Sequence, residues 1–527
     1  GAAQHVQNMR RGDHASFYGT KSGGVWAGAK QDDDHVYVDS HILSTPVVAD
    51  LTGNGEDVLV TTVSYFFDET EYADPALRHQ LGLSADLGKY VASGVVAFSL
   101  ATGKQLWSVE LDLTTATSSF PAYAVTSPVL ADFDGDGKLE ILVGTGAGFV
   151  YMISHKGLLL KTPPGNLEAE IEADPRYEDL SEVDFPLTMG SVWTEPMVGD
   201  VDGDGYVDIV VVDSNANVVA YTCTGIEIWS STISGHADDT GVLADMDSDG
   251  VLDVVIGTNA GHVWAFKGED GTPLPQFPLR FGGRIETTPL ILDLVAAPTF
   301  TPSRHIVVGA NDGIVYVVNP TNGRREKFDI GAIADTTMLA DDLIGNGNMD
   351  VLVTTTTGEL VAIGTDTPYS PLNSKYSEAH GGRTRIHRAG YLGIAATSKE
   401  LVRRECDERL SLRFTITDQR RTPNARSASR ESYKITVTRG STVYAQASFG
   451  HSGEHELNME VPNNAEHLTL TMTTTQGLYF EHTIPITYLS NPSTYPTVGL
   501  LLPLALILLT LLPLREWFTK QQLPDIM

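Results

Sequence analysis

Short apolar runs ending in aspartate recur six times along the first two thirds of the chain: ILSTPVVAD (42–50), VTSPVLAD (125–132), VWTEPMVGD (192–200), DTGVLAD (239–245), IETTPLILD (285–293) and DTTMLADD (335–342). Each is followed by a short loop and a β-branched run that closes on small residues: DVLVTTV (57–63), EILVGTGAG (140–148), DIVVVDSNA (208–216), DVVIGTNAG (253–261), HIVVGANDG (305–313) and DVLVTTTTG (350–358). A third run follows in every unit, such as NVVAYTCTG (217–225) and HVWAFKGEDG (262–271). Some units add a fourth, such as KQLWSVEL (104–111) and IEIWSSTI (226–233). Runs this short, rich in Val and Ile and bounded by Gly, read as strands, and no 3.6-residue period competes with them. Four strands per unit, repeated, describe the blades of a β-propeller. The loops start at residues 50, 132, 200, 245, 293 and 342, so the later units are compact and the first two carry insertions. Six repeats predict a six- or seven-bladed ring over residues 41–398, and residues 1–40 either supply strands or are the remnant of a further blade.

The pattern changes after the repeats. Residues 379–398 depart from it and are expected to close the ring or link onward. LSLRFTITD (410–418), YKITVTRG (433–440), HLTLTMTTT (467–475) and YFEHTIPITYL (479–489) alternate with period two, which predicts a separate immunoglobulin-like β-sandwich over residues 401–490, a stalk domain. Residues 497–514 (TVGLLLPLALILLTLLPL) then run without a charge, and counted from Tyr495 they match the about 20 residues that span a hydrocarbon core. Arg515, Trp517 and Lys520 follow, a basic and aromatic interfacial flank. The expectation is a type I single-pass protein with one transmembrane helix at 495–514, a cytosolic tail at 515–527, and everything earlier outside the cytosol, at the plasma membrane or an endomembrane.

Composition narrows the chemistry. Of 527 residues, 42% are hydrophobic and 19% charged, so the chain is globular, and its length asks for more than one domain. Lys+Arg 35 against Asp+Glu 67 leaves a net charge of −32, which repels phosphate backbones and argues against nucleic acid. Cys223 and Cys406 are too few for a disulfide framework or a zinc site and read as two independent buried thiols, with one bridge between them as the alternative. The acidic stretch 168–184 reads as a solvated loop, Arg11-Gly12-Asp13 as a chance tripeptide, and no Asn-x-Ser/Thr sequon occurs. A chain that opens on Gly1 without a leader pattern is expected to be a processed or shortened form.

Bound cations are the natural counterpart to such acidity, and the loops supply their ligands. DFDGDGKLE (132–140), DVDGDGYVD (200–208) and DMDSDGVLD (245–253) place carboxylates at loop positions 1, 3, 5 and 9 with Gly at 6. Calcium takes six to eight hard oxygens, which alternate residues of a tight loop can provide. The candidate ligands are therefore Asp132, Asp134, Asp136 and Glu140; Asp200, Asp202, Asp204 and Asp208; and Asp245, Asp247, Asp249 and Asp253. The position-7 carbonyls of Lys138, Tyr206 and Val251 complete each set. Two loops are poorer. DLIGNGNMD keeps Asp342, Asn346, Asn348 and Asp350 but has Ile344 at position 3. DLTGNGEDV has Asp50, Thr52 and Asn54 but meets Asp57 one residue early. In the fifth unit no further acid follows Asp293 in the loop, which is expected to bind nothing.

The Asp-x-Asp-x-Asp-Gly-x-x-Asp loops between strands resemble the FG-GAP repeats of integrin alpha chains. DSHILSTPVVAD (39–50), VSYFFDETEY (63–72) and GKYVASGVVAFSL (88–100) resemble, more closely, the plant defective-in-exine-formation protein family and its relatives. That resemblance implies an extracytoplasmic propeller, a β-sandwich-like segment, one membrane helix and a short tail. It also implies a role at the cell surface or in the secretory pathway, linked in plants to patterning of a polysaccharide-rich wall. The expected function is a non-enzymatic, calcium-stabilised adhesion or scaffold protein that binds a protein or glycan partner through its propeller, alone or within a larger complex. The alternative is an enzyme on the same fold, a polysaccharide lyase or a quinoprotein. The 15 histidines recur at no fixed blade position, and no Ser-His-Asp, HExxH or phosphate loop stands out, so no catalytic residue is assigned.

Overall fold

The computed structural model describes residues 6–10, 35–68, 70, 73, 87–134, 136–160, 185–295, 302–334, 336–373, 386–397, 401–404, 409–422, 432–440, 442–461, 466–475 and 478–489. The Arg-Gly-Asp tripeptide, the acidic stretch at 168–184, Cys406, the span at 495–514 and the tail lie outside the described residues. Among those described, no helix is long and apolar enough to cross a membrane.

The chain is all-β, a propeller-like series of antiparallel sheets followed by a two-sheet sandwich. Each of the six repeats forms its own sheet. A three- to six-residue inner strand (Val47–Ala49, Val129–Ala131, Met197–Gly199, Val242–Ala244, Leu290–Val295 and Leu339–Asp341) pairs with a second strand across the acidic loop. The second strands are Val58–Tyr65, Glu140–Gly144, Asp208–Val212, Asp253–Gly257, Pro302–Gly309 and Asn348–Thr354. Two strands before the repeats join the first sheet: Val6–Arg10 pairs with His35–His41, which pairs with Val58–Tyr65.

The burial gradient explains the apolar runs. Asp208–Val212 and Asp253–Gly257 are buried throughout because neighbouring blades cover both faces of the sheet, so these runs do not alternate. The outermost strand of the fifth sheet, Arg325–Asp329, is largely exposed and correspondingly polar. Blades approach closely where the second strand ends in Gly. A side chain at Gly257 would come within 2.6 Å of Ile285 in the next blade. The fourth-strand tryptophans act as staples, since the indole N–H of Trp107 donates to the His155 carbonyl at 3.1 Å and that of Trp229 to the Gly268 carbonyl at 2.5 Å, one blade further on.

The sandwich packs a sheet of Leu392–Ala396, Leu410–Asp418 and Gly453–Met459 on one of Leu401–Arg404, Tyr479–Leu489, His467–Thr473, Tyr433–Arg439 and Thr442–Phe449. Leu410, Leu412, Phe414 and Ile416 point inward at every second position. The first strand, Leu392–Ala396, falls inside the stretch that the sequence assigns to closure or linkage. The residues just before it do link, for Ile386 bridges to Leu243 of the fourth inner strand.

One buried group is expected to make the stability of the sandwich depend on pH. His482 accepts a hydrogen bond at Nδ1 from the Ala396 amide at 3.0 Å, and burial, aided by the Arg388 cation, pushes its pKa down to about 4. Its folded pKa lies below its usual 6.5, so the unfolded chain takes the extra proton. His482 therefore costs no stability above pH 6.5 and costs progressively more as pH falls toward 4. His482→Asn, with Oδ1 in place of Nδ1, is expected to flatten the dependence of sandwich unfolding on pH between those limits. Equal slopes in urea titrations of the two proteins would contradict this.

Candidate metal centre

The acidic loops are built by their own side chains before any ion is considered. In the third loop the two carboxylate oxygens of Asp200 accept from the amides of Gly203 at 2.8 Å and Gly205 at 3.0 Å, and Asp208 accepts from Val201 at 2.9 Å. The fourth loop repeats this, with Asp245 accepting from Asp249 and Gly250 at 3.1 Å each and Asp253 from Met246 at 2.9 Å. In the second, Asp132 accepts from Gly137 and Glu140 from Phe133, both at 3.0 Å. Position 6 needs glycine because its φ is left-handed: 84° at Gly137, 91° at Gly205 and 85° at Gly250. The first aspartate thus folds the loop, and Asp50 and Asp342 do the same in the two poorer loops.

With the loop closed, the carboxylates converge. Oxygens of Asp132, Asp134 and Asp136, of Asp200, Asp202 and Asp208, and of Asp245, Asp247 and Asp253 lie within 4.8 Å of one another in each group. Asp204 and Asp249 stand one step outside, accepting from the amides of Tyr206 at 2.7 Å and Val251 at 2.9 Å, and Glu140 is buried at the base of the second loop. Concentrating negative charge in a buried place has a clear electrostatic signature. Burial, reinforced by Asp204 and Asp202, pushes Asp200 up to about 7. Burial and then Asp202 and Asp200 raise Asp208 well above the usual range. Burial pushes Asp253 up to about 7, with Asp247 and Asp249 adding to it against opposing backbone hydrogen bonds. Glu140 is raised by burial and then by Asp134 and Asp132. Burial and mutual repulsion thus disfavour the ionised form of these carboxylates when no counter-ion is present. An all-oxygen donor set of this kind fits a hard divalent cation, which would neutralise the cluster.

Register separates the remaining loops. In the complete ones the position-9 acid pairs with the residue before the first aspartate: Ala131 with Glu140, Gly199 with Asp208, Ala244 with Asp253. In the first unit Ala49 pairs instead with Val58, so the ninth place holds no oxygen and Asp57 falls short of it. Asp50 still folds that loop, accepting from the amides of Thr52 and Asn54 at 3.2 Å each. In the sixth, Asp341 pairs with Asp350, and Asp342 accepts from Gly345, Asn346 and Gly347, so the loop is shaped correctly. Asn346 accepts from the Asn348 amide at 2.8 Å, but Ile344 leaves the third position empty of donors.

The fifth unit carries its own cation. Leu292 pairs with His305, which takes the ninth place, and the neighbouring Arg304 sets its Nε 3.2 Å from Asp293 Oδ1. His387 Nε2 lies 3.8 Å from the same oxygen. Although burial opposes it, His387 and Arg304 hold the Asp293 carboxyl below its usual pKa. A guanidinium here supplies positive charge directly to the loop's first aspartate. Nothing in the loop sequence points to this arginine, which sits eleven residues beyond Asp293.

Family models match three parts of the chain: an FG-GAP repeat at residues 124–152, an FG-GAP-like repeat at 200–256 and the DEX1 beta-sandwich at 393–488. The repeat matches contain the three complete loops, and the sandwich match contains both sheets of the second domain. No curated protein matches the chain. Similar solved structures include BBS1N in complex with ARL6DN, 12% identical over 64% of this chain and 95% of that one, with a TM-score of 0.34. BamB from Moraxella catarrhalis is 13% identical over 76% of this chain and 92% of that one, with a TM-score of 0.32. Saccharomyces cerevisiae Sqt1 is 10% identical over 72% and 93%, with a TM-score of 0.34.

Proposed function

In a chain that joins FG-GAP repeats to a DEX1 beta-sandwich, we propose a calcium-stabilised, non-enzymatic scaffold or adhesion protein of the cell surface or secretory pathway. One observation carries this reading: three loops in the same register each bring three carboxylates within 4.8 Å. Calcium would be held by Asp132, Asp134, Asp136 and Glu140 in the second loop, by Asp200, Asp202, Asp204 and Asp208 in the third, and by Asp245, Asp247, Asp249 and Asp253 in the fourth. The carbonyls of Lys138, Tyr206 and Val251 would add one oxygen each. The chemistry the ion supplies is charge neutralisation that ties the first two strands of a blade together. The segment at 495–514 would anchor the protein, with the propeller outside the cytosol and residues 515–527 inside.

The loops differ in competition. Lys267 Nζ stands 3.5 Å from Asp247, a built-in monovalent rival at the fourth loop, and Lys138 Nζ stands 2.9 Å from Asp136 at the second. Lys267→Met is expected to raise calcium affinity at the fourth loop by roughly 2- to 5-fold, as removal of an exposed ion pair allows. A calcium titration showing unchanged or weaker binding would count against Asp247 as a ligand.

Partner binding belongs to the opposite end of the inner strands, where Trp193 and Phe120 are 43% and 40% exposed ahead of the second and third inner strands. Exposed aromatic rings of this kind anchor protein and glycan contacts. Capture of the partner by the immobilised protein is expected to need calcium and to be lost in Trp193→Ala, with the melting midpoint and calcium binding retained. A well-folded Asp134→Ala or Asp247→Ala protein that loses a glycan-cleaving turnover, while its other sites stay intact, would instead establish a catalytic calcium.

A further inference from the structure

The third and fourth metal loops are also the seat of the β-sandwich. Loop 418–421 of the sandwich lies directly on them, with the Arg421 amide donating to the Gly250 carbonyl at 3.0 Å. A side chain added at Gly250 would meet the Gln419 carbonyl at 2.9 Å and the Arg421 nitrogen at 3.0 Å. Arg421 then runs over the third loop, its Cδ 3.6 Å from the place a Cβ on Gly203 would take, and its guanidinium pairs with Glu269. The two loops are themselves joined, Leu252 donating to the Asp200 carbonyl at 3.4 Å.

The sandwich side of this contact is held by buried polar bonds. Asp418 and Arg420 form a buried ion pair at 2.7 Å, with side chains 3% and 0% exposed, and the Tyr433 hydroxyl donates to the same Asp418 at 2.5 Å. The Gln419 amide donates to the Tyr391 carbonyl at 2.7 Å, and Arg388 reaches the Glu481 carbonyl at 2.9 Å. By contrast, Gly137 of the second loop, equivalent to Gly250, meets nothing within 4 Å. Among the described residues, the third and fourth loops thus touch the sandwich, while the position-6 glycine of the second stands open.

We propose that cations in the loops 200–208 and 245–253 latch the β-sandwich to the propeller, so that metal occupancy controls whether the two domains are docked. The inference rests on the metal reading above. The docking contacts are made by backbone at positions 4 and 6, the residues whose conformation the surrounding carboxylates dictate. Emptying the loops sets three mutually repelling acids against the turns that hold Gly203 and Gly250, and the seat under Arg421 loosens.

Hydrogen exchange of the full chain, with calcium titrated in parallel on the same samples, separates the two claims. Chelation is expected to speed exchange of the amides of Gln419 and Arg421, and of His387, which donates to the Leu243 carbonyl, at least tenfold. Asp202→Asn and Asp247→Asn should do the same in calcium, whereas Asp134→Asn should lose one ion and leave these amides protected. Arg421→Ala should expose the Gln419 amide with calcium binding to the second loop unchanged. If calcium binds and these amides stay protected after chelation, the latch is refuted and the metal reading survives. If no calcium binds, both fall. If Asp134→Asn loosens the sandwich as much as Asp247→Asn does, general destabilisation replaces the latch.

Discussion

Stripping calcium from the folded protein should lower its melting midpoint by several degrees, and Asp202→Ala should reproduce part of that loss in the presence of calcium. The expectation follows from linkage: an ion that binds only the folded state adds about 2.7 kcal/mol at 100 times its Kd and about 4.1 at 1,000 times. A loss of about 3 kcal/mol corresponds to roughly 5–10 °C in a domain of a few hundred residues. Asp202 is the ligand to change because it lies at position 3 and accepts from the nearby Asp204 amide at 2.9 Å, while the bonds that close the loop onto Gly203 and Gly205 belong to Asp200. Its effect should vanish once chelator is present, since the ion that it holds is then gone. Midpoints that ignore chelator, or an Asp202→Ala deficit that persists unchanged without calcium, would remove the ions from the stability of the fold.

Arg304→Met should destabilise the propeller by about 3–5 kcal/mol, equally with and without calcium, because it strands the Asp293 carboxylate in a site built for a cation. The Arg304 and Asp293 side chains are only 11% and 22% exposed, so water compensates little. Asp293→Ala alone should also destabilise, again with no dependence on metal. The paired change Asp293→Leu with Arg304→Met should recover most of the loss, as replacing both members of a buried pair commonly does. Denaturant unfolding of the four proteins closes the cycle. A calcium-dependent rescue of Arg304→Met would show that this loop is a metal site after all.

What could be read from the chain and what could not divide along one physical line. The complete loops were legible because their chemistry is local: nine residues contain the donors, the turn glycine and the strand that follows. The first and fifth loops were only half legible, because their outcome depends on register. Nothing in DLTGNGEDV announces that Val58 rather than Asp57 faces Ala49, and the arginine that neutralises Asp293 arrives after an insertion. In the sandwich the four alternating runs matched strands that bury one face, such as Leu410–Asp418 and Tyr433–Arg439. Thr442–Phe449 escaped notice because it is an edge strand in which no residue is fully buried and two of the apolar positions are only alanine, and Leu392–Ala396 because full burial erases alternation. The seat of the sandwich on the third and fourth loops was invisible, since Asp-Gln-Arg-Arg at 418–421 looks like any polar turn. Contacts between domains leave no periodic trace in either of them.

Counting calcium on the intact chain by native mass spectrometry bears most directly on the role of the loops. Three tightly held ions are expected, with Asp134→Asn, Asp202→Asn and Asp247→Asn each removing one and Asp293→Ala removing none. A chain that binds no calcium, or one whose count is the same in all four variants, would contradict the assignment of these loops as metal sites.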